Sequence, residues 1–442
     1  MADLTARDLR WACALALLAF GVFNANGREI PSYDSQPSKY LAIEIAQHHT
    51  LTLDATIARI PQLGERSGFA TDLHGHRRSA YPLPSALAAG AVAWILSACG
   101  LLDLGTPLAP NLVAKVTASL LAALTVAAVF LYARRRLGVR QALFIALGFG
   151  LGTNMWAGVS QTLWQQETAL AACIAAIVLI DLPASVVPSV WRLLIAGALL
   201  GITGWARFQL AATIVLLAAV VVFRWRWRAG WCLVPLALFG CLAMAINIAW
   251  FGHALGALPA LELLHASVHD VTSSVSTTPW TAAAGLLVSP SRGLLIFSPV
   301  VAVAFAGIRA AFRDGAKGLL PWCLGAVAAQ FVLYSTYSVW WAGHTYGPRY
   351  TLDLLPALVP LATAGYAVVA QRRWTQAVTA VALAWSMLVA GTGAFVYPAE
   401  AWNTSPIEVD RHHERLWDWR DSQIARALHT HPSPQNFGLF SK

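Results

Sequence analysis

The sequence has 442 residues, of which 57% are hydrophobic and 12% are charged, and its formal net charge is +9. A soluble protein of two or three domains does not have this composition, and a mean hydropathy of +0.59 is typical of a chain that lies in a bilayer. Apolar runs of about 17 to 25 residues, the length a helix needs to cross the hydrocarbon core, recur along the chain. The composition excludes a disordered chain and a nucleic-acid-binding domain.

The N-terminal part predicts one span followed by a large outer loop. The first apolar run, 11–23, follows Arg7 and Arg10 and precedes no small-residue cleavage site. This pattern predicts a retained span with a cytoplasmic start. Residues 24–83 are too polar to cross and are expected to form the first outer loop, with juxtamembrane helices. The run 84–102 begins among prolines, which favours a re-entrant or juxtamembrane helix and leaves a full span open.

Arginine clusters between the later apolar runs predict the orientation, because cytoplasmic loops carry an excess of Lys and Arg. The clusters are Arg134, Arg135, Arg136 and Arg140; Arg224, Arg226 and Arg228; Arg309, Arg313 and Lys317; and Arg372 and Arg373. We therefore expect an all-α polytopic membrane protein with about eleven transmembrane helices and further juxtamembrane or re-entrant helices in its outer loops. The membrane domain is expected to cover 1–397, with an outer loop at 252–293 and a short outer tail at 398–442.

Asp34 is the candidate catalytic base. It follows the first span by about ten residues, near the predicted membrane surface, where partial desolvation makes a carboxylate more basic. A solvated loop aspartate is the alternative. Glu44, His48 and His49 share part of a helical surface, and a solvated helix face is favoured over a metal site there. No metal and no cofactor are predicted.

Three arginines stand apart from the cytoplasmic clusters, on the predicted outer side. Arg207 lies alone between two apolar runs and either reaches the interface or binds an anion. Arg292 interrupts an apolar stretch among small residues. Arg349 precedes a new span, where a guanidinium and the first amides of a helix can bind phosphate together. These three are the candidate ligands of a phosphate.

Two polar segments are candidate binding sites for a sugar or an acceptor. In 160–167, Trp164, Gln165 and Glu167 enter a span from outside. They suit hydrogen bonding and stacking against a sugar, although an interfacial tryptophan also anchors helices in an aromatic belt. In 335–350, the candidates are Trp341, His344 and Tyr346.

These residues resemble the GT-C superfamily of integral-membrane glycosyltransferases, in its bacterial members related to the protein mannosyltransferases that use dolichyl-phosphate mannose and to aminoarabinose transferases. Asp34 matches the acidic residue after the first helix, and 81–84 and 134–138 match a proline-bearing helix start and the cytoplasmic turn that follows. The patch 346–350 resembles a recurring segment of bacterial members. Asp34 is followed by Ser35, where many members carry a second acidic residue, and this argues against metal dependence of the oligosaccharyltransferase kind.

The resemblance implies a hexosyl- or pentosyltransferase in the bacterial inner membrane, with its active site facing the periplasm or exterior. Its expected partners are a polyprenyl-phosphate-linked sugar donor, a hydroxyl-bearing acceptor (a lipid, a glycan or a protein) and membrane lipid. Asp34 would act as base in an inverting transfer. A lipid or lipid-linked-sugar flippase is the alternative, although such proteins usually show internal repeats and ionisable groups near the midplane. A third possibility is an accessory subunit without catalytic activity.

Overall fold

The computed structural model describes residues 4–66, 68–183, 185–269, 271, 273–315, 317–396 and 401–439. It is 70% helical with almost no sheet, which confirms the predicted all-α class. A small antiparallel hairpin in the first outer loop pairs strand β1 (Phe69–Thr71) with strand β2 (Arg77–Ser79).

Twenty α-helices follow one another along the described residues. The first are α1 (Ala6–Asn24), α2 (Gln36–His48), α3 (Asp54–Arg59), α4 (Pro84–Ala98), α5 (Ala109–Arg134), α6 (Val139–Leu151) and α7 (Asn154–Ala157). The next are α8 (Gln166–Ile180), α9 (Val190–Ala206), α10 (Ala211–Trp225), α11 (Gly230–Phe251), α12 (Leu258–Val268), α13 (Pro279–Val288) and α14 (Leu294–Phe297). The last are α15 (Val303–Asp314), α16 (Leu320–Ser335), α17 (Leu355–Val369), α18 (Arg373–Val396), α19 (Ala401–Thr404) and α20 (Gln423–His429).

Four helical segments among the described residues are long and apolar enough to cross a membrane. They are Ala109–Arg134, Phe208–Phe251, Tyr350–Val369 and Arg373–Val396. A pair bent by 41°, α6 with the segment 154–161, makes a possible fifth, and five shorter apolar helices accompany them. The chain is therefore a multi-pass membrane protein, whereas the number of about eleven spans stays a prediction.

Helix α5 runs from the predicted outer side of the membrane to the predicted cytoplasmic side. Near its start, Lys115 Nζ donates to Asn26 Oδ1 at 2.9 Å and to Gln161 Oε1 at 2.6 Å. At its end, Arg134 Nε pairs with Asp8 Oδ1 at 2.7 Å. Lys115 and Arg134 lie about 28 Å apart along the helix at 1.5 Å per residue. This is close to the thickness of the hydrocarbon core.

Helix α4 packs along α2, which belongs to the first outer loop, and also against α5. At 1.5 Å per residue its length is about 22 Å, shorter than the hydrocarbon core. Both observations favour a juxtamembrane or re-entrant helix at 84–102 over a full span.

The C-terminal tail folds back onto the loops that precede α13 and α17. Trp402, Val409 and Leu416 are buried together with Trp340 and Trp341. The tail is therefore part of the packed surface at this end of the protein.

Candidate functional site

Asp34 and Arg349 meet in a direct ion pair. Asp34 lies in the 3-10 turn Tyr33–Ser35 just before α2, and Arg349 precedes the 3-10 turn Tyr350–Leu354 that leads into α17. Arg349 Nη1 lies 2.8 Å from Asp34 Oδ2, and both side chains are mostly but not fully buried. The fold thus brings together the predicted base and the predicted phosphate ligand from opposite ends of the sequence.

Tyr81 is a third member of this group. Its hydroxyl donates to Asp34 Oδ1 at 3.0 Å. Burial raises the pKa of Tyr81 well above its ordinary value, and the neighbouring Asp34 carboxylate raises that pKa further. The phenol therefore stays protonated and donates a hydrogen bond to the carboxylate over the physiological pH range.

Trp164 stacks against the guanidinium of Arg349. The Arg349 guanidinium lies over the indole ring with its central carbon 4.0 Å from the ring centroid, and Trp164 Nε1 donates to Ser32 Oγ at 3.0 Å. Stacking on an aromatic face fixes the plane of a guanidinium and contributes about 0.5–2 kcal/mol. Trp164 thus orients the arginine that pairs with Asp34.

A cavity of about 480 Å³ opens beside the ion pair. Its polar lining includes Asp34, Tyr81, Gln165, Arg207 and Arg349. Its size is that of ordinary small-molecule sites, which hold about 300–1,000 Å³. The further lining side chains are Phe208, Gln209, Leu255, Leu258, Pro259, Leu261, Glu262, Val271, Ser274, Val275, Leu333, Thr336, Tyr337, Val339 and Tyr350.

A second cavity, of about 530 Å³, adjoins the first. The two share Tyr81, Phe208, Leu255 and Leu258. The lining of the second is almost wholly apolar and comes largely from α9, α10 and α11, with Trp205, Ile214, Leu236, Met244 and Trp250 among its side chains. The more polar of the two cavities, which bears the charged side chains, therefore adjoins one that is almost wholly apolar.

Arg207 borders the first cavity but is already paired. Its Nε lies 2.5 Å from Asp353 Oδ2, and its Nη2 donates to the Tyr334 hydroxyl at 3.1 Å. Tyr334 in turn donates to the same Asp353 oxygen. Asp353 is fully buried, so the cation of Arg207 is neutralised inside the protein.

Arg292 lies outside the lining of both cavities. It donates from Nε to the Trp341 carbonyl at 2.8 Å, and from Nη2 to the Gly343 carbonyl at 3.1 Å and to Asn403 Oδ1 at 2.9 Å. The fully buried guanidinium therefore ties the segment before Arg349 to the tail.

The other sequence candidates also lie outside the lining of the Asp34 cavity. Glu167 is fully buried in the first turn of α8. Tyr346 donates its hydroxyl to the Val389 carbonyl at 2.9 Å. Trp341 and His344 contact Asp410 of the tail, so they belong to a different cluster.

No protein-family model matches the sequence, and a search of curated proteins finds no match. A solved structure, ArnT from Cupriavidus metallidurans bound to undecaprenyl phosphate, aligns with a TM-score of 0.50 and 14% identity over 96% of this chain and 78% of that chain. The protein has the GT-C fold. The resemblance seen in the sequence is thus confirmed at the level of the fold.

A second GT-C structure aligns more weakly. The oligosaccharyltransferase of Archaeoglobus fulgidus, tethered to an acceptor peptide, has a TM-score of 0.44 and 12% identity, over 96% of this chain and 60% of that chain.

Two residues at or near this candidate site, Tyr81 and Asp353, were not among the sequence candidates. Tyr81 lies three residues before α4 begins, at the end of the polar first outer loop, and this position is the signal for it in the sequence. Asp353 is a carboxylate within an apolar run, and such a residue usually pairs with another charge. Arg207, alone between two apolar runs, is the matching cation in the sequence.

Proposed function

We propose that the protein is a glycosyltransferase that moves a sugar from a polyprenyl-phosphate donor to a hydroxyl acceptor at the outer face of the membrane. The observation that carries this proposal is the Asp34–Arg349 pair beside the more polar cavity, which adjoins an almost wholly apolar one. A base, a phosphate ligand and a space for a lipid chain are the three parts that such a reaction needs. The bacterial inner membrane, with the site on the periplasmic side, is the location that we propose.

The two cavities match the two parts of such a donor. The apolar cavity suits the first isoprene units, because burial of apolar surface contributes about 25 cal/mol per Å². The polar cavity suits the phosphate and the sugar, with Gln165 and Glu262 available for hydroxyl groups. ArnT, which has the same fold, was solved with undecaprenyl phosphate bound, and this supports a polyprenyl phosphate as the lipid part.

The chemistry is a single displacement. The acceptor oxygen attacks the anomeric carbon, its proton passes to Asp34, and the bond from that carbon to the phosphate oxygen breaks. The polyprenyl phosphate leaves with the electron pair of that bond. Arg349 stabilises the negative charge that develops on the phosphate, which is the kind of stabilisation that contributes most in many enzymes. Attack from the face opposite the phosphate inverts the anomeric configuration.

A transfer assay tests the proposal. The purified protein is reconstituted with polyprenyl-phosphate sugars and candidate acceptors, and transfer is compared among the parent, Asp34→Asn and Arg349→Ala. We expect Asp34→Asn to lower kcat by about 10²–10⁴, because it removes the general base. Arg349→Ala is expected to raise the donor KM and to lower kcat. Asp103→Asn and Arg140→Ala change exposed residues of the same types and should transfer at the parental rate.

Two outcomes would refute the proposal. Equal transfer by the parent and Asp34→Asn would remove the base. Movement of lipid across a vesicle bilayer without consumption of the donor would identify a flippase instead. Nuclear magnetic resonance of the product tests the stereochemistry, since retention at the anomeric carbon would exclude a single displacement.

A further inference from the structure

Four side chains of types that bind metals lie close together between the outer loops and the C-terminal tail, away from the Asp34 cavity. Asp410 Oδ2 lies 2.9 Å from His269 Nδ1 and 2.9 Å from His344 Nε2. Glu408 Oε1 lies 3.8 Å from the same His344 nitrogen. The ligand atoms of His344, Glu408 and Asp410 all lie within 4.8 Å of one another.

We propose that His269, His344, Glu408 and Asp410 bind one divalent cation, with zinc as the preferred ion, and that this ion fastens the tail to the loops. This site is independent of the proposed transfer reaction, because none of the four residues lines the Asp34 cavity.

Three of the distances among the ligand atoms are close to those of a tetrahedral zinc site. Zinc binds imidazole nitrogen and carboxylate oxygen at about 2.0–2.2 Å, which places tetrahedral ligands about 3.4 Å apart. The observed separations of 2.9 and 3.8 Å lie on either side of that value. Side-chain shifts can bring His344, Glu408 and Asp410, whose ligand atoms lie within 4.8 Å of one another, onto one ion, and His269, which contacts Asp410, would move further to complete the set. Two imidazoles favour zinc over magnesium or calcium, which prefer ligand sets made of oxygen only.

The groups around the ligands hold them in place. Trp341 Nε1 donates to Asp410 Oδ1 at 2.8 Å, so a buried donor holds this carboxylate oxygen. The other oxygen, Oδ2, faces the two imidazoles. Outer hydrogen bonds of this kind orient the ligands of known metal sites. Gly343 has a φ of +66°, and a Cβ there would lie 2.9 Å from the His269 ring. A glycine at this position lets the imidazole approach.

The site is open to ions from one side. The His344 side chain is 35% exposed and the Glu408 side chain 41% exposed, whereas Asp410 is buried. The four ligands come from three separate segments: the loop after α12, the loop after α16, and the tail. A bound ion would therefore cross-link parts of the chain that are far apart in sequence, which is how structural metal sites contribute stability.

Metal content and binding test the proposal. The full-length protein is purified without chelator, any histidine tag is removed, and bound metals are measured by mass spectrometry. Zinc, manganese, magnesium and calcium are then titrated against the metal-free protein. We expect one zinc per chain, a higher unfolding temperature with zinc than with EDTA, and cobalt absorption bands typical of tetrahedral coordination. His344→Ala and Glu408→Gln change partly exposed ligands and should weaken zinc binding at least tenfold.

The tail supplies a matched control. His412 Nδ1 and Glu414 Oε1 lie 2.9 Å apart on the exposed surface, and neither belongs to the cluster. His412→Ala and Glu414→Gln should bind zinc like the parent. The proposal is overturned if the parent binds no stoichiometric zinc, or if His344→Ala, eluting at the parental position in gel filtration, binds zinc with parental affinity. In that case the four residues form only a hydrogen-bonded cluster.

Discussion

The buried pair of Arg207 and Asp353 allows a quantitative prediction. Both side chains are almost completely inaccessible, and Tyr334 connects them through its hydroxyl. Removal of one member of a buried pair leaves the other charge without compensation, and this typically costs about 3–5 kcal/mol. We therefore expect Arg207→Met to lower the free energy of unfolding by about that amount.

Substitution of the acidic partner, Asp353, should lower the free energy of unfolding by less. Asp353→Asn leaves the Arg207 cation buried, but Arg207 borders the 480 Å³ cavity, where water can solvate part of the guanidinium. The amide oxygen introduced by this substitution would still accept from Tyr334. We expect this variant to lose about 1–3 kcal/mol, since a buried charged group loses one hydrogen-bond partner.

The double variant decides whether pairing is the cause. Arg207→Met combined with Asp353→Asn removes both charges and should be more stable than Arg207→Met alone, because no uncompensated carboxylate remains. Denaturant-induced unfolding in detergent micelles, followed by tryptophan fluorescence, measures all three variants. Arg140→Met, an exposed control, should stay within about 0.5 kcal/mol of the parent. Losses that simply add in the double variant would refute the reasoning.

Two further predictions concern packing and pH. A Cβ at Gly365 would lie 2.0 Å from the Val303 carbonyl oxygen, so Gly365→Ala should separate α15 from α17 and lower the unfolding midpoint. A Cβ at Gly240 would have no atom within 4 Å, so Gly240→Ala should leave the midpoint unchanged. Asp72 loses solvation on burial, which raises its pKa, but Arg78 and the amides of His76 and His74 lower that pKa to about 2, below the ordinary 3.8. The stabilisation is present above about pH 4 and is lost as the pH falls through 2, so the stability advantage over Asp72→Asn should shrink in acid; an advantage independent of pH would contradict it.

The class of protein and the central pair were accessible from the sequence for simple physical reasons. Apolar runs must form helices in a bilayer, because the backbone has no other partner for its hydrogen bonds there. Asp34 and Arg349 were each selected from local context. The prediction that both lie on one side followed from the arginine clusters alone, and the two residues are in direct contact.

The surroundings of Arg292 could not be predicted in the same way. Arg292 is held by the carbonyls of Trp341 and Gly343. A backbone carbonyl is present at every residue, so a sequence gives no sign that two of them will converge on one guanidinium. Arg207 differs, because its partner Asp353 is a side chain and can be read from the sequence.

The tail was harder to predict than the membrane helices. Its Trp402 and Leu416 pack against Trp340 and Trp341 rather than lying alone at the interface. Tryptophan is suited to both environments, since it combines a large apolar surface with one donor. Composition therefore does not distinguish an interfacial tail from one that folds back onto the protein.

The two ion pairs at the cavity differ in a way that bears on substrate binding. The Arg349 and Asp34 side chains are 16% and 26% exposed, whereas those of Arg207 and Asp353 are 5% and 0% exposed. Water reaches part of the Arg349–Asp34 pair, so breaking it should cost less than the about 3–5 kcal/mol that breaking a fully buried pair costs. In the reaction that we propose, a donor phosphate would therefore take over the Arg349 guanidinium at a lower cost than that of Arg207, and this exchange would release the Asp34 carboxylate to accept a proton. Arg207 cannot leave Asp353 so cheaply, and on this ground Arg349 is the arginine that we assign to the phosphate.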